Sequence, residues 1–197
     1  MKIRLFVAFL GVVWACQSPQ TAIPNVLANT DTDSSLRFEN GLLLQQNKPF
    51  SGYIVSYYSP QKLRLKEAYL SEKAENVHQK WYENGQMQEQ RGYLNNHKHG
   101  IHRGWWPNGK LKFEYSFADD VATGVHQEWY DNGQLFTRST YNQQGQPEGV
   151  QQMWYNTGQI KANYVVKNGR RFGLLGAKGC MGENEKERTG LLKQANL

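Results

Sequence analysis

The chain has 197 residues, a net charge of +6, a hydrophobic content of 39% and an aromatic content of 13%. This is the length of one domain, but the low apolar content favours a thin repeat architecture over a thick globular core. The Lys and Arg residues do not form a dense block, which argues against a nucleic-acid-binding protein.

The N-terminus has the pattern of an export signal. Lys2 and Arg4 precede an apolar stretch over residues 5–13, and the small Ala15 stands before Cys16. A charged start, an apolar run and a small residue at the cleavage point predict a signal peptide over residues 1–15. The apolar run is too short for a membrane-spanning helix, which needs about 20 residues.

The tetrad Val13-Trp14-Ala15-Cys16 resembles the lipobox of bacterial lipoproteins. The resemblance implies that Cys16 is the first residue of the mature protein and carries the lipid. Acyl chains would hold the protein at a membrane surface without spanning it. We therefore expect an exported lipoprotein of the bacterial cell envelope, and we favour the outer membrane as its location. The alternative is an ordinary signal peptide followed by an incidental cysteine.

The segment after Cys16 is rich in Ser, Thr, Asn, Gln and Pro. It offers little surface to bury, so residues 16–38 are predicted to be a lipidated start followed by a flexible tether. If Cys16 is lipidated, Cys180 has no partner in the chain, and a structural or incidental role is expected for it.

A ten-residue sequence then occurs four times. The copies are HQKWYENGQM at 78–87, HRGWWPNGKL at 102–111, HQEWYDNGQL at 126–135 and QQMWYNTGQI at 151–160. Their first tryptophans are Trp81, Trp105, Trp129 and Trp154, which lie 24, 24 and 25 residues apart. A fixed period of this length indicates a linear array of repeats.

Each copy contains a turn signal between two strand-like segments. Asn84-Gly85, Asn108-Gly109 and Asn132-Gly133 predict two-residue type I′ hairpin turns, and Thr157-Gly158 is a weaker version. Degenerate copies extend the array to residues 39–176, leaving 177–197 as a C-terminal tail. The predicted fold is all-β: an elongated, twisted antiparallel sheet of consecutive β-hairpins, built from repeats of about 24 residues.

The pattern G-V-H-x-x-W-Y-x-N-G-Q-L, most complete at 124–135, resembles the MORN-repeat-variant proteins of bacteria. That resemblance implies a twisted sheet of hairpins and non-catalytic binding roles. It also implies an antitoxin-like assignment, which many of the relatives carry.

Counting outward from two-residue turns predicts which side chains face each other. The second aromatic residue of each copy would face an aliphatic residue, as in the five pairs Tyr58–Leu63, Tyr82–Met87, Trp106–Leu111, Tyr130–Leu135 and Tyr155–Ile160. The first tryptophans would point to the other side, opposite Gln88, Lys112, Phe136 and Lys161. A bulge in the loops would change the assignment after the turn.

The candidate binding strip is therefore Trp81, Trp105, Trp129 and Trp154, flanked by Lys112 and Lys161. An exposed aromatic strip can mark a binding site. The alternative is that Trp and Lys only hold a one-layer sheet together, with the lysine stems covering the rings.

His78, His102 and His126 recur at the same period. Equivalent residues lie two strands apart, about 9.6 Å, whereas zinc ligands must come within about 2.1 Å of one ion. Cross-strand pairing, as in His78 with Arg91 or His102 with Tyr115, is therefore expected instead of a metal site. No nucleophile–base set and no phosphate loop recur either, so neither catalysis nor a cofactor is expected.

These observations predict a non-catalytic, membrane-anchored repeat scaffold for protein–protein interaction at the cell envelope. The alternatives are binding of a cell-wall glycan through the tryptophan strip and an antitoxin-like neutralising role.

Overall fold

The computed structural model describes residues 22–174. The predicted signal peptide, Cys16, Cys180 and the C-terminal tail lie outside the described residues. Within residues 22–174 there is no helix whose length and apolar character would suit a membrane span.

The described chain is built from strands. They are β1 (Leu27–Asn29), β2 (Leu36–Glu39), β3 (Leu42–Gln45), β4 (Lys48–Pro49), β5 (Gly52–Ser59), β6 (Lys62–Leu70), β7 (Lys73–Ala74), β8 (Asn76–Trp81), β9 (Met87–Leu94), β10 (His97–Lys98), β11 (Gly100–Trp105), β12 (Leu111–Ala118), β13 (Val121–Trp129), β14 (Leu135–Tyr141), β15 (Pro147–Trp154), β16 (Ile160–Lys167) and β17 (Arg170–Leu174).

One long sheet contains fourteen of these strands. Its main path is β1-β5-β6-β8-β9-β11-β12-β13-β14-β15-β16-β17, while β7 and β10 pair at its side with β6 and β9. All pairings in it are antiparallel except that of β1, which joins β5 in parallel. The predicted sheet of consecutive hairpins is confirmed.

The N-terminal end of the array is covered by a second, three-stranded sheet of order β2-β3-β4. Its Leu43 is 0% exposed and belongs to a core that also contains Phe50, Ile54 and Tyr69. The end of a repeat sheet would otherwise expose its apolar face, so this small sheet serves as the cap of the array.

The predicted tether is wrong from Leu27 onward, because β1 and the first three residues of β2 lie inside the range 16–38. Asp31 explains the attachment of this segment. Its carboxylate accepts hydrogen bonds from the Ser56 hydroxyl at 2.8 Å and the Tyr57 backbone N–H at 2.9 Å, and it pairs with Arg64 at 2.9 Å. These interactions lower the pKa of Asp31, and the hydrogen bond from the Tyr57 N–H contributes most.

The Asn-Gly turns differ from the predicted type I′ geometry. The Tyr82 N–H donates to the Gln86 carbonyl at 2.8 Å, and the Gly85 N–H donates to the Tyr82 carbonyl at 2.9 Å. Gly85 has a φ of +84°, whereas Asn84 is not among the residues with positive φ. This is a three-residue loop, a type I turn closed by a glycine in the left-handed region.

A β-bulge after each of these loops compensates for the extra loop residue. The pairs next to the loops are Trp81–Met87, Trp105–Leu111, Trp129–Leu135 and Trp154–Ile160. In the first hairpin Tyr57 likewise pairs with Leu63, although Ser59–Lys62 is the pair next to its two-residue turn. Beyond the bulge the register returns to the predicted one, with His78 opposite Arg91 and His102 opposite Tyr115. The predicted pairing of the second aromatic with the aliphatic residue is therefore wrong by one position.

Two-residue turns with positive φ occur instead between the repeats. Asn95-Asn96 has φ values of +51° and +71°, and Asp119-Asp120 has +48° and +65°. Short Asn and Asp side chains tolerate this region better than other non-glycine residues. The hydrogen-bonded loop between β14 and β15 has three residues in place of two, and the extra residue is accommodated by Gly145 at a φ of +75°. That residue accounts for the last spacing of 25.

Candidate functional site

The two sides of the sheet carry different columns of side chains. Because side chains alternate along a strand, the residues on either side of each position point in opposite directions. We call the side that carries Trp81, Trp105, Trp129 and Trp154 the Trp face. The side that carries His78, His102, His126 and Gln151 is the His face.

The histidines of the His face are buried and bond to the backbone. The Nε2 atom of His102 lies 2.8 Å from the Gly92 carbonyl oxygen, and that side chain is 1% exposed. His78 makes the same contact with Ala68 at 2.8 Å, and His126 with Ser116 at 2.9 Å. The fourth copy has Gln151, whose amide Nε2 donates to the Thr140 carbonyl at 2.8 Å. All four copies thus place a side-chain N–H donor at the same position, against a backbone carbonyl of the adjacent strand.

The same histidines are packed between aromatic rings of the neighbouring strands. His102 lies with its ring centroid 5.7 Å from that of Tyr93 and 4.8 Å from that of Phe117. The column continues with His126 against Tyr141 at 4.7 Å. Aromatic contacts of this kind stabilise a sheet in which each repeat touches only its neighbours. Among residues 22–174 no group of three or more His, Cys, Asp or Glu side chains is arranged to hold a metal ion.

Burial lowers the pKa of His78 and of His102, because a desolvated imidazolium is unfavourable. The folded chain therefore binds fewer protons than the unfolded chain near neutral pH. The stability from this difference is present above a pH of about 6.5, the ordinary histidine pKa. It is lost as the pH falls through that value towards the folded-state pKa.

We therefore expect the free energy of unfolding to fall as the pH is lowered from about 7.5 to about 5, by at most about 1.4 kcal/mol per pH unit for each proton taken up. Urea titrations at a series of pH values measure this slope. The double replacement His78→Gln and His102→Gln keeps both donors but removes both titrations, and it should flatten the slope. An unchanged slope in that variant would contradict the assignment.

The second aromatic residue of each copy connects one repeat to the next. The Tyr82 hydroxyl donates to the Trp105 carbonyl at 2.9 Å, the Trp106 indole Nε1–H to Trp129 at 3.0 Å, and the Tyr130 hydroxyl to Trp154 at 3.0 Å. The turns themselves are joined in the same way. The Nδ2 atom of each turn asparagine donates to a carbonyl of the next turn, in the three pairs Asn84–Pro107, Asn108–Asp131 and Asn132–Asn156.

Tyr130→Phe removes one such bond without changing the ring. We expect the free energy of unfolding to decrease by about 1 kcal/mol, the usual net contribution of a hydrogen bond. Tyr155→Phe is the matched control, since no hydroxyl partner of Tyr155 is present in the described residues and this side chain is 45% exposed. Equal losses in the two variants, measured by urea unfolding, would show that the bond to Trp154 contributes nothing.

The lysines predicted to flank the tryptophan strip lie elsewhere. The Lys112 Nζ atom is 4.5 Å from the ring centroid of Trp106, and that of Lys161 is 5.6 Å from the Tyr155 ring. The bulge moves both lysines from the first aromatic residue to the second. The direct neighbours of Trp81, Trp105, Trp129 and Trp154 are the aliphatic residues Met87, Leu111, Leu135 and Ile160.

A second apolar column on the Trp face was missed in the sequence. It consists of Val77, Ile101, Val125 and Val150, whose residues are 37%, 45%, 37% and 40% exposed. Each stands one position before the His or Gln of its repeat, so the period could have revealed it. The first tryptophans are half-buried. Within the described part of the chain their indole N–H groups have no protein acceptor.

Comparison with protein families gives four consecutive matches. Residues 74–95, 98–119, 122–143 and 147–168 match the model of the MORN repeat variant. A search of curated proteins found no match. The matched segments contain the hairpins β8–β9, β11–β12, β13–β14 and β15–β16, except for the first residue of β13. The hairpins between residues 74 and 168 thus match the MORN repeat variant four times in succession.

Proposed function

We propose that this chain is a non-catalytic scaffold that binds an extended segment of a protein partner along the Trp face. The observation that carries the proposal is the pair of parallel apolar columns, one of exposed aliphatic residues and one of tryptophans. Both columns run through all four matched repeats. Apolar columns that stay in contact with water at every repeat are a feature of binding surfaces.

The distance between equivalent residues of neighbouring repeats indicates the conformation that a bound segment would need. Equivalent residues of neighbouring repeats are two strands apart, about 9.6 Å. A polyproline II segment has three residues per turn and advances about 9.3 Å per turn. A segment that runs across the strands would therefore place every third side chain against successive repeats. Its carbonyl groups could accept hydrogen bonds from the indole N–H groups, as in other aromatic-lined sites for proline-rich peptides.

A polar column lies between the two apolar ones. It consists of Gln79, Arg103, Gln127 and Gln152. Arg103 is already paired with Glu114 at 2.7 Å, and Gln152 donates to Asn163 at 3.2 Å. The amides of Gln79 and Gln127 have no side-chain partner within residues 22–174, so they are available to the backbone of a bound segment.

These two amides beside tryptophan rings are also the one observation that favours a glycan ligand. The aliphatic neighbours of the tryptophans argue for a protein segment, because they offer no hydrogen bond to sugar hydroxyls. An antitoxin-like neutralising role is one form of protein binding and would use the same surface.

The binding test uses two synthetic peptides of equal composition. One repeats Leu at every third position and the other at every fourth, both with Pro and Ser between. We expect the period-three peptide to bind at least about tenfold more tightly, because only it contacts successive repeats in register. Binding is measured by fluorescence anisotropy of a labelled peptide, with chito-oligosaccharides as the glycan arm.

Ile101→Thr together with Val125→Thr should weaken the period-three peptide, since it removes two apolar contacts and keeps β-branched side chains in the strands. Val26→Thr is the matched control, because Val26 is 47% exposed but lies outside the Trp face. If the oligosaccharide binds and neither peptide does, the protein-binding proposal fails and the glycan alternative takes its place.

We also propose that the scaffold is exported and attached to the membrane through a lipid on Cys16. The support is the sequence pattern around this residue, which lies outside the described part of the structure. Cys16→Ser, with acyl labelling and membrane fractionation, is the test. Membrane association that persists in the variant would contradict the anchor.

A further inference from the structure

The His face contains a cleft of about 190 Å³ lined by Tyr115, His126, Glu128, Thr137, Ser139 and Tyr141. It arises from two small residues of β14. Thr137 stands opposite Glu128, and Ser139 stands opposite His126. In the preceding repeat, 24 residues earlier, the same positions hold Phe113 and Tyr115. In the preceding repeat, the rings of Phe113 and Tyr115 fill the volume that is open here as the cleft.

The preceding repeat shows what kind of group this place accepts. Phe113 is 9% exposed and is stacked on Tyr115 with the ring centroids 4.7 Å apart. The guanidinium of Arg91 lies over the Phe113 ring at 5.7 Å, and its Nε is 2.9 Å from the Glu89 carboxylate. The chain thus places its own cation between an aromatic ring and a carboxylate on this face.

The cleft has the carboxylate and the rings but not the cation. The Glu128 carboxylate accepts a hydrogen bond from the Tyr115 hydroxyl at 2.6 Å. Within residues 22–174 it forms no ion pair with a Lys, Arg or His side chain. Burial, and then the bond to Glu128, raises the pKa of Tyr115, which keeps the phenol a neutral donor. A half-buried carboxylate without a cation is costly unless something pairs with it.

Aromatic rings form the walls of the cleft. The ring centroid of His126 is 4.8 Å from that of Tyr115 and 4.7 Å from that of Tyr141. Ring faces attract a cation held within about 6 Å. The volume restricts the ligand, because drug-sized molecules occupy about 300–1,000 Å³, whereas a cavity of about 150 Å³ holds one benzene ring. One long side chain or a small amine fits.

We propose that this cleft binds a single organic cation, an ammonium or guanidinium group on a short alkyl stem. Glu128 pairs with the charge, the Tyr141 ring and the edge of the Tyr115 ring line the stem, and the Thr137 and Ser139 hydroxyls accept remaining N–H groups. The cation is a Lys or Arg side chain of a partner protein or a small free amine. The site lies on the face opposite the Trp face, so it does not rest on the proposed function.

The test titrates the full chain with butylammonium, butylguanidinium and 1-butanol, followed by saturation-transfer NMR. We expect at least one of the two cations to bind saturably and at least about tenfold more tightly than the alcohol, because only cations gain the charge pair and the ring contacts. Equal binding of all three probes, or no binding, would overturn the proposal.

Two variants locate the site. Glu128→Gln removes the charge with little change in shape and should weaken cation binding about tenfold or more. Ser139→Tyr fills the cleft, and both neighbouring repeats already carry tyrosine there, as Tyr115 and Tyr164. Glu83→Gln is the charge-matched control, on a side chain that is 75% exposed. Cation binding that Glu128→Gln leaves unchanged would overturn the assignment, whether or not Ser139→Tyr folds.

A third arm identifies the source of the cation. Acetyl-Gly-Lys-Gly-amide and acetyl-Gly-Arg-Gly-amide present the same groups on a peptide. Binding as tight as that of the free cations indicates a partner's side chain, and binding of the free cations alone indicates a small amine. Both results support the cation site. Glu128→Gln should leave period-three peptide binding unchanged, so failure of either proposal is seen separately.

Discussion

His102→Ala is expected to lower the free energy of unfolding by about 2–4 kcal/mol, the largest stability effect in the repeat sheet. Two losses add up. The imidazole is 1% exposed and fills the space between Tyr93 and Phe117, so its removal leaves a cavity. Its Nε2 is also the donor to the Gly92 carbonyl at 2.8 Å, a contact that alanine cannot replace. Urea unfolding followed by circular dichroism measures the change.

His102→Gln separates the two losses. The glutamine amide supplies the N–H donor, as Gln151 does in the fourth repeat, but not the ring. We expect it to recover about 1 kcal/mol of the loss, the usual net contribution of one hydrogen bond. His99→Ala is the matched control, since His99 is an exposed histidine three residues away. If His102→Ala proved no more destabilising than His99→Ala, the structural role of the histidine column would be refuted.

Gly104→Ala is expected to destabilise the chain by about 1–3 kcal/mol, the usual cost of overpacking a filled site. A Cβ atom at Gly104 would lie 2.2 Å from Cε1 of Phe113, the residue directly opposite on β12. Phe113 cannot move away freely, because it is buried and packed against Tyr115 and Arg91. The substitution must therefore displace the ring, and near-ultraviolet circular dichroism and urea unfolding should both change.

A double-mutant cycle shows whether the ring is the cause. In a Phe113→Ala background the obstacle is absent, so adding Gly104→Ala should cost less than about 0.5 kcal/mol, or even stabilise, because alanine suits a strand interior better than glycine. Equal costs of Gly104→Ala in the two backgrounds would mean that the Phe113 ring does not explain the glycine.

Much of the architecture could be predicted from the sequence, because the same local pattern recurs in each copy of the repeat. The period predicted a linear sheet of hairpins, and alternation along the strands predicted two faces that carry different side chains. The cross-strand partners of His78 and His102 were also correct, because they lie beyond the bulge, where both turn types give the same register.

The errors are concentrated within two residues of each turn. Asn-Gly is compatible with a two-residue type I′ turn and with a three-residue loop that ends in a left-handed glycine. The two loops differ by one residue in register, and this difference decided the neighbours of every first tryptophan. The three-residue loop lets the asparagine Nδ2 atom reach the next turn, as from Asn108 to Asp131 at 2.8 Å. Because that bond joins different repeats, the sequence of a single repeat does not reveal it.

The sequence by itself determined the repeat, its period, the hairpin sheet and the alternation of its two faces, because these depend on local backbone geometry. Only the tertiary structure decided the neighbours of the tryptophans, the carbonyl partners of the histidines, the cap made by β2–β4 and the cleft at Glu128. Each of these depends on contacts between separate strands or repeats. The cleft is the clearest case, because it is defined by side-chain volume missing at Thr137 and Ser139, which becomes a cavity only when β12, β13 and β14 lie side by side.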